Sequence, residues 1–277
     1  IRLQRLPYVQ AVDYDTTPVP GRPDLVDVDF QIEEGLPGQF GGGIGFSETF
    51  GATLNGNFVH SNFMGTGNRV GVNVSGGEFA TVTNLSYTDP YRTIDGLQRT
   101  LSMTFQDITQ FTSASSDFST ETFSIGADWS YPISEFQFLR FGFSVQQTEL
   151  VTSLFSSRQA LEWVTNNGGP LEVPGDDVFG TNVKSIELNT GWIFDSRNRA
   201  LFPTAGTRVG LNLSASIPGS KVEYYITSLD VTKYMPLWGR WIFKANSALS
   251  FGEAYGTTTA LPPYRNFFAG GPGSVRG

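Results

Sequence analysis

The sequence predicts an all-β fold, a transmembrane antiparallel β-barrel, and three observations carry that prediction. From Gly38 onward, apolar and polar residues alternate with period two, segment after segment. The clearest segments run about ten residues, the length of a tilted strand crossing a bilayer, whereas strands of soluble sandwiches are nearer about 5–6. Composition leans the same way. The 277 residues are 39% hydrophobic and only 16% charged, with 32 Gly and 23 Phe, where soluble domains carry about 25% charge. Such a chain suits a sheet with one apolar face and one small, polar face.

Residues 1–34 differ from the rest. Ile1 to Val9 reads as the tail of a helix ended near Pro7, Val12 to Asp15 as a short strand, and Leu25 to Ile32 as a strand with Val26, Val28, Phe30 and Ile32 on one face. Together they suggest the end of an α+β unit too small to hold its own core. The boundary falls at Gly35-Leu36-Pro37-Gly38, so residues 35–277 form the barrel part. There, Glu121–Tyr131 sets Phe123, Ile125, Ala127, Trp129 and Tyr131 against Thr122, Ser124, Gly126, Asp128 and Ser130. Thr207–Ile217 and Trp241–Gly252 repeat the scheme. Further strands are expected at Gly38–Phe46, Ala52–Ser61, Arg69–Gly76, Ala80–Thr88, Gln98–Thr109, Phe136–Thr152, Val183–Asp195 and Val222–Tyr234, about eleven in all. Aromatics near strand ends, such as Tyr87, Tyr131, Trp192, Tyr234 and Trp241, fit interfacial girdles. Short turns are expected on one side. Longer loops are expected on the other, at Phe111–Ser119 and Leu154–Thr181, the latter carrying a surface helix near Ser157–Val164.

Several function classes drop out. Net charge is -8 with no Lys/Arg cluster, which speaks against nucleic acid as a partner. There is no cysteine, hence no disulfide, thiol nucleophile or Cys-bearing zinc site. His60 is the single histidine, on a predicted strand, where a place in the wall is the default. No G-x-S-x-G elbow or Walker lysine occurs, and Glu33-Glu34 reads as a solvated strand end. No enzyme, cofactor or metal site is expected. The chain reads as a piece of a longer protein, without an initiator or signal peptide.

Two stretches remain. Gly38-Gln39-Phe40-Gly41-Gly42-Gly43-Ile44-Gly45-Phe46 places five glycines in the first barrel strand, which weakens it. Close packing or a bulge is one reading; a deliberately weak seam, able to pair an incoming strand by its backbone, is the other. The last stretch, Pro263 to Gly277, is rich in glycine yet holds Tyr264, Phe267 and Phe268, so it is expected to pack inside the barrel.

Tyr264-x-Asn266-Phe267-x-Ala269-Gly270-Gly271-x-x-x-Val275-Arg276-Gly277 resembles the loop signature of the BamA family, the outer-membrane protein assembly factors. Gly65-Thr66-Gly67 after Asn62-Phe63, Asp89-Pro90-Tyr91, Phe194-Asp195 with Phe202-Pro203-Thr204-x-Gly206, and Ile217-Pro218-Gly219-Ser220 with Tyr224-Tyr225 look like that family's turn and strand-end motifs in order. The resemblance implies a sixteen-stranded barrel of which about eleven strands are here, with residues 1–34 the end of the last periplasmic POTRA domain. It implies an outer-membrane site in a Gram-negative bacterium, and a non-enzymatic role in folding and inserting client β-barrels. It also assigns Gly38 to Phe46 to the lateral gate, and a lumen loop with Val275, Arg276 and Gly277 at its tip. The carboxylate that pairs Arg276 is expected on strands beyond Gly277. Implied partners are outer-membrane lipids, unfolded clients, assembly-machinery lipoproteins and periplasmic chaperones. A TamA-type or two-partner secretion barrel of the same superfamily, or a passive porin, would share the alternation.

Overall fold

The computed structural model describes residues 8–22, 24–47, 51–113, 116–153, 155–167, 171–172, 178–199, 202–239 and 241–267. Two sheets lie among them. The smaller is an antiparallel hairpin of β1 (Val9–Pro18) and β2 (Val26–Glu34). The register puts Tyr14 beside Phe30 and Val12 beside Ile32 on one face, and Asp13, Asp15, Asp27 and Asp29 on the other. The strand expected at Val12–Asp15 is therefore the middle of a longer one. The helix end expected at residues 1–9 falls almost wholly outside the described residues.

The large sheet is a meander in strict sequence order: β3 (Gly38–Ser47), β4 (Gly51–His60), β5 (Arg69–Gly77), β6 (Ala80–Asp89), β7 (Gln98–Ser113), β8 (Ser116–Ser134) and β9 (Gln137–Ser153). It continues, after the two-residue β10 (Leu171–Glu172) that pairs beside the main path, through β11 (Val178–Asp195), β12 (Gly206–Ser216), β13 (Tyr224–Pro236) and β14 (Ile242–Ala254). Every neighbouring pair is antiparallel. The eleven expected strands are all present, and β3 and β14 are the two edges.

Burial follows the alternation. On β11, Thr181, Val183, Ser185 and Glu187 are buried, while Ile186 and Leu188 on the opposite face stand exposed. Neighbouring strands carry that outer face onward, Ile186 beside Val145 and Val145 beside Ile125. Phe123, Leu211 and Phe243 are 38%, 43% and 48% exposed, so the side chains expected to face lipid do not sit in a water-soluble core. The inner face is small and polar; Thr100, Asp128, Arg140, Asn189, Asn212 and Ser228 line one concavity on it.

Two expectations need correction. Phe111–Ser119 is not a long loop, because β7 and β8 run on to Ser113 and from Ser116. Its Ser and Thr residues lack the apolar half of the alternation, but backbone pairing needs no apolar side chain, and this part of the wall lies beyond the greasy band. At about 3.4 Å per residue, the 19 residues of β8 span far more than the roughly 25 Å apolar belt of such barrels. Nor are short turns confined to one side: the rim expected to hold the longer loops also holds the tight β5–β6 hairpin, while the other holds the longer connection 196–205, since an antiparallel pair needs only a two-residue turn wherever no motif is inserted. The aromatics do lie at strand ends, and Tyr87, Tyr131, Trp192 and Tyr234 share one rim, because each is near the end of a strand running toward it. There Trp192 stacks on Phe194 and donates its Nε1–H to Gln137.

Turn chemistry explains the motif residues. In the β11–β12 turn, Arg197 pairs Asp195 at 2.7 Å, and Asn198 accepts the backbone N–H groups of Thr204 and Ala205. Gly206 has φ +110, and a Cβ there would meet the Ser196 backbone, so only glycine fits.

The expected surface helix is α1 (Arg158–Asn167), capped by the Ser157 hydroxyl on the Ala160 N–H. It is not merely superficial. Ala160, Trp163 and Val164, at helical spacing, are buried against the inner faces of the tall strands at Phe118, Leu150 and Val183, together with Val222 and Tyr224. A hydrophobic core thus sits inside the wall at the rim that carries the β9–β11 connection.

Candidate functional site

The chain after β14 folds back into this core, and the structure shows how it is held. Trp163 of α1 donates its indole N–H to the Ala260 carbonyl at 2.9 Å. Asn167 exchanges two hydrogen bonds with Thr259, at 3.0 and 3.1 Å. Tyr264 meets Trp163 edge to face, ring centroids 6.2 Å apart, and burial pushes its phenol well above the ordinary value. The helix inserted between β9 and β11 is therefore the strut on which the lumen loop rests.

The electrostatic centre is Arg265. Its Nη2 lies 2.7 Å from Glu187 Oε1 and 3.4 Å from Gln146 Oε1, and its Nε donates to the Tyr224 hydroxyl at 2.8 Å. The Tyr224 hydroxyl donates in turn to Glu187. The guanidinium also lies over the Tyr224 and Tyr264 rings, at 5.6 and 5.9 Å. Glu187 is 4% exposed and Tyr224 fully buried. A carboxylate so placed on the inner face of a strand requires a cation and hydrogen-bond donors, and this network supplies both. The arrangement ties β9, β11 and β13 to the loop that follows β14.

A second clasp lies beside it. Glu223 accepts the backbone N–H groups of Gly219 and Thr257, both at 2.8 Å, and its own N–H donates to the Thr258 hydroxyl. Those backbone donors, Gly219 first, hold its carboxyl below the ordinary range. Gly219 has φ +93, the left-handed geometry that aims its N–H back at Glu223.

The expected site residues divide accordingly. Tyr264 is pinned as described and Phe267 is half exposed. Gly270, Gly271, Val275, Arg276 and Gly277 lie outside the described residues. The loop's structural anchor among the described residues is Arg265, which sequence reasoning passed over in favour of Arg276. Glu187 was the available signal: a carboxylate at an inward position of a strand, with Ser144 and Ser216 as its cross-strand neighbours, requires a cation from elsewhere in the chain.

The seam residues form β3, and their faces are unequal. Gly41, Gly43 and Gly45 face the lumen, while Phe40, Ile44 and Phe46 face outward, each at least 80% exposed. The glycine face packs on β4: a Cβ at Gly41 would meet Asn57, and one at Gly45 would lie 2.8 Å from Thr53 Oγ1. Close packing, one of the two readings of these glycines, therefore accounts for Gly41 and Gly45 but not for Gly43, where a Cβ would meet nothing within 4 Å. The other edge of β3 has no strand partner among the described residues. His60, at the end of β4, stands edge-on to Phe63 in the wall.

Two predictions follow from the clasps. Arg265→Ala leaves the Glu187 carboxylate buried beside a single hydroxyl, and is expected to cost about 3 kcal/mol, the low end for a broken buried pair because Arg265 is a third exposed. Denaturant unfolding of the barrel in micelles measures it; a cost under about 1 kcal/mol contradicts the anchoring role. Glu223 has its carboxyl lowered in the fold, so its contribution is full above the unfolded value of about 4.3 and fades as pH falls through the folded one. Protease cleavage between residues 217 and 258 is expected to rise below about pH 4, and Glu223→Gln should abolish that pH dependence. A profile unchanged by Glu223→Gln contradicts it.

A model of the Omp85 superfamily domain matches residues 62–277. Over 279 residues the chain is 27% identical to the outer membrane protein assembly factor BamA of Neisseria meningitidis serogroup B, an alignment covering 100% of this chain and 34% of that protein. The crystal structure of BamA from Haemophilus ducreyi lacking POTRA domains 1-3 matches with TM-score 0.84 and 27% identity, over 100% of this chain and 52% of that one. CdiB from Acinetobacter baumannii shares the fold alone, with TM-score 0.51 and 15% identity over 98% of this chain and 48% of that chain. The chain thus spans about a third to a half of the length of these relatives. Its meander, its lumen loop and these likenesses agree: the chain belongs to the Omp85 superfamily and, within it, to the BamA family.

Proposed function

We propose that this chain is part of the central component of the outer-membrane β-barrel assembly machinery, which folds and inserts client barrels without enzymatic chemistry. The observation that carries this reading is the glycine content of β3. Among the described residues it pairs with β4 alone, and its five glycines leave little side-chain packing to hold it in place. In lipid an unpaired edge is costly, so a client strand presented there gains its hydrogen bonds by β-augmentation. Recognition through backbone groups tolerates clients of varied sequence. The free energy comes from moving unpaired strands into a sheet, so no nucleotide is needed.

The rest of the machinery follows from the family. The protein resides in the outer membrane of a Gram-negative bacterium, with residues 1–34 as the end of a POTRA domain on the periplasmic side. The match of the whole chain, residues 1–34 included, to a BamA chain lacking POTRA domains 1-3 supports that assignment. So does the exposed apolar face of β2, where Val26, Phe30 and Ile32 await the remainder of an α+β unit. Partners are outer-membrane lipids, unfolded clients, lipoproteins and periplasmic chaperones. The loop tip through Val275, Arg276 and Gly277 braces the wall from within, with Arg265 as its inner mooring.

In the full-length protein, a disulfide between a cysteine at Gly43 and one on the last barrel strand should stop client insertion, and reductant should restore it. Insertion at the wild-type rate with that bond formed contradicts the seam mechanism.

A further inference from the structure

The outward face of β6 to β9 holds an arginine that no described residue satisfies. Cross-strand rows fix its place. Tyr87, Leu101, Ala127 and Phe143 form one outward row, and Asp89, Arg99, Trp129 and Phe141 form the next, nearer the rim where residues 1–34 join β3. Thr100 and Asp128, between the two rows, face the lumen instead. Arg99 is half-buried, its Nε is shielded with no hydrogen-bond partner, and it belongs to none of the ion pairs among the described residues. Asp89, directly opposite, does not pair with it. That carboxylate lies near Arg92 of the following turn, and at 3.8 Å the contact is longer than a hydrogen bond. A guanidinium and a carboxylate thus stand side by side on the lipid-facing wall, each with bonding capacity to spare.

Beyond this pair the wall is hollowed. An apolar groove opens one row further from the rim, floored by Ala127, only 7% exposed, and walled by Leu85, Leu101, Met103, Ile125 and Phe143. Trp129 stays out of it, its ring lying against Phe141 and Phe143 with centroids 6.3 and 5.9 Å away. Successive outward rows are about 7 Å apart, twice the rise of one strand residue, so the charges and the groove form one continuous site. Trp129 also marks their row as headgroup level. We propose that this site binds one phospholipid of the ethanolamine class, its phosphate on Arg99, its primary ammonium on Asp89 and an acyl chain along the groove. This rests on the outer-membrane location of the protein. An ethanolamine headgroup carries its cation two carbons from its phosphate, a reach that suits a cross-strand pair whose Cβ atoms lie about 4.5–5.5 Å apart. Arginine offers phosphate oxygens a planar fork of donors. The ammonium offers Asp89 charge-assisted N–H donors, which a quaternary choline lacks and a glycerol headgroup replaces with neutral hydroxyls.

The test uses the full-length protein in detergent micelles, stripped of lipid, with native mass spectrometry counting the lipid retained. Dioleoyl phosphatidylethanolamine, phosphatidylcholine and phosphatidylglycerol are added in separate titrations. Wild-type protein is expected to retain one ethanolamine lipid, roughly tenfold more tightly than either of the others. Arg99→Gln should weaken all three lipids by about tenfold, since each carries the phosphate. Asp89→Asn should bring the ethanolamine lipid down to the level of the choline lipid and leave the choline lipid unchanged. Ala127→Leu fills the groove, leaves the charges in place and should weaken all three. Lys233→Gln removes an exposed cation from the outward face of β13 near the same rim, away from the groove, and should change nothing. Heat-modifiable gel mobility checks that each barrel is folded. The site is overturned if folded wild-type protein retains the three lipids equally or prefers the glycerol lipid. It is equally overturned if folded Arg99→Gln or Asp89→Asn protein retains the ethanolamine lipid as wild type does. Wild-type protein that never forms a heat-modifiable barrel counts against the outer-membrane location, whereas a folded barrel without lipid preference sinks the site alone.

Discussion

Inside a bilayer there is no water to satisfy a peptide group, so each backbone N–H and C=O must find its partner in the sheet. That constraint orders everything else in this chain. It forces a meander of antiparallel strands with a continuous ladder from β4 to β13, and it makes an edge the costliest feature the molecule can carry. A wall built under this rule can be strong by default wherever it is long and well packed. Weakness, where it occurs, has to be composed residue by residue.

The composition is visible in how unequally the sheet is fastened. Its middle is tall, with β9 and β11 of 17 and 18 residues, and its inner face there is closed by α1, by Val222 and Tyr224, and by the returning loop. Arg265 and the buried Glu187 lock that assembly with a charge pair to which Tyr224 and Gln146 add hydrogen bonds. β3 is 10 residues long, half of them glycine, with a nearly bare lumen face and a partly bare outer face. The returning loop and α1 thus brace the part of the wall away from β3, where the glycines leave little side-chain packing.

Much of this was legible in the residues. Period-two alternation located all eleven strands because a sheet between lipid and water imposes opposite demands on successive side chains. It failed at Phe111–Ser119, where the wall leaves the lipid and serine and threonine pair through their backbones without an apolar face to announce it. The helix was found, but its burial was not. Trp163 and Val164 look like one face of a surface helix until the loop they support is folded beneath them. The Arg265 network was missed for the same reason, since Glu187 and Arg265 are 78 residues apart and nothing local marks them as partners. The seam glycines could be found in sequence. Which faced the lumen and which lay opposite a second glycine required the register.

The central claim is that protection of the sheet is graded, high at the braced middle and low at β3. Hydrogen exchange of the full-length protein in lipid nanodiscs measures it strand by strand. Amides of Gly41 to Phe46 are expected to exchange orders of magnitude faster than those of Val145 to Leu150 and Val183 to Leu188. Equal, slow exchange across all three segments would show a uniformly sewn wall and contradict the account.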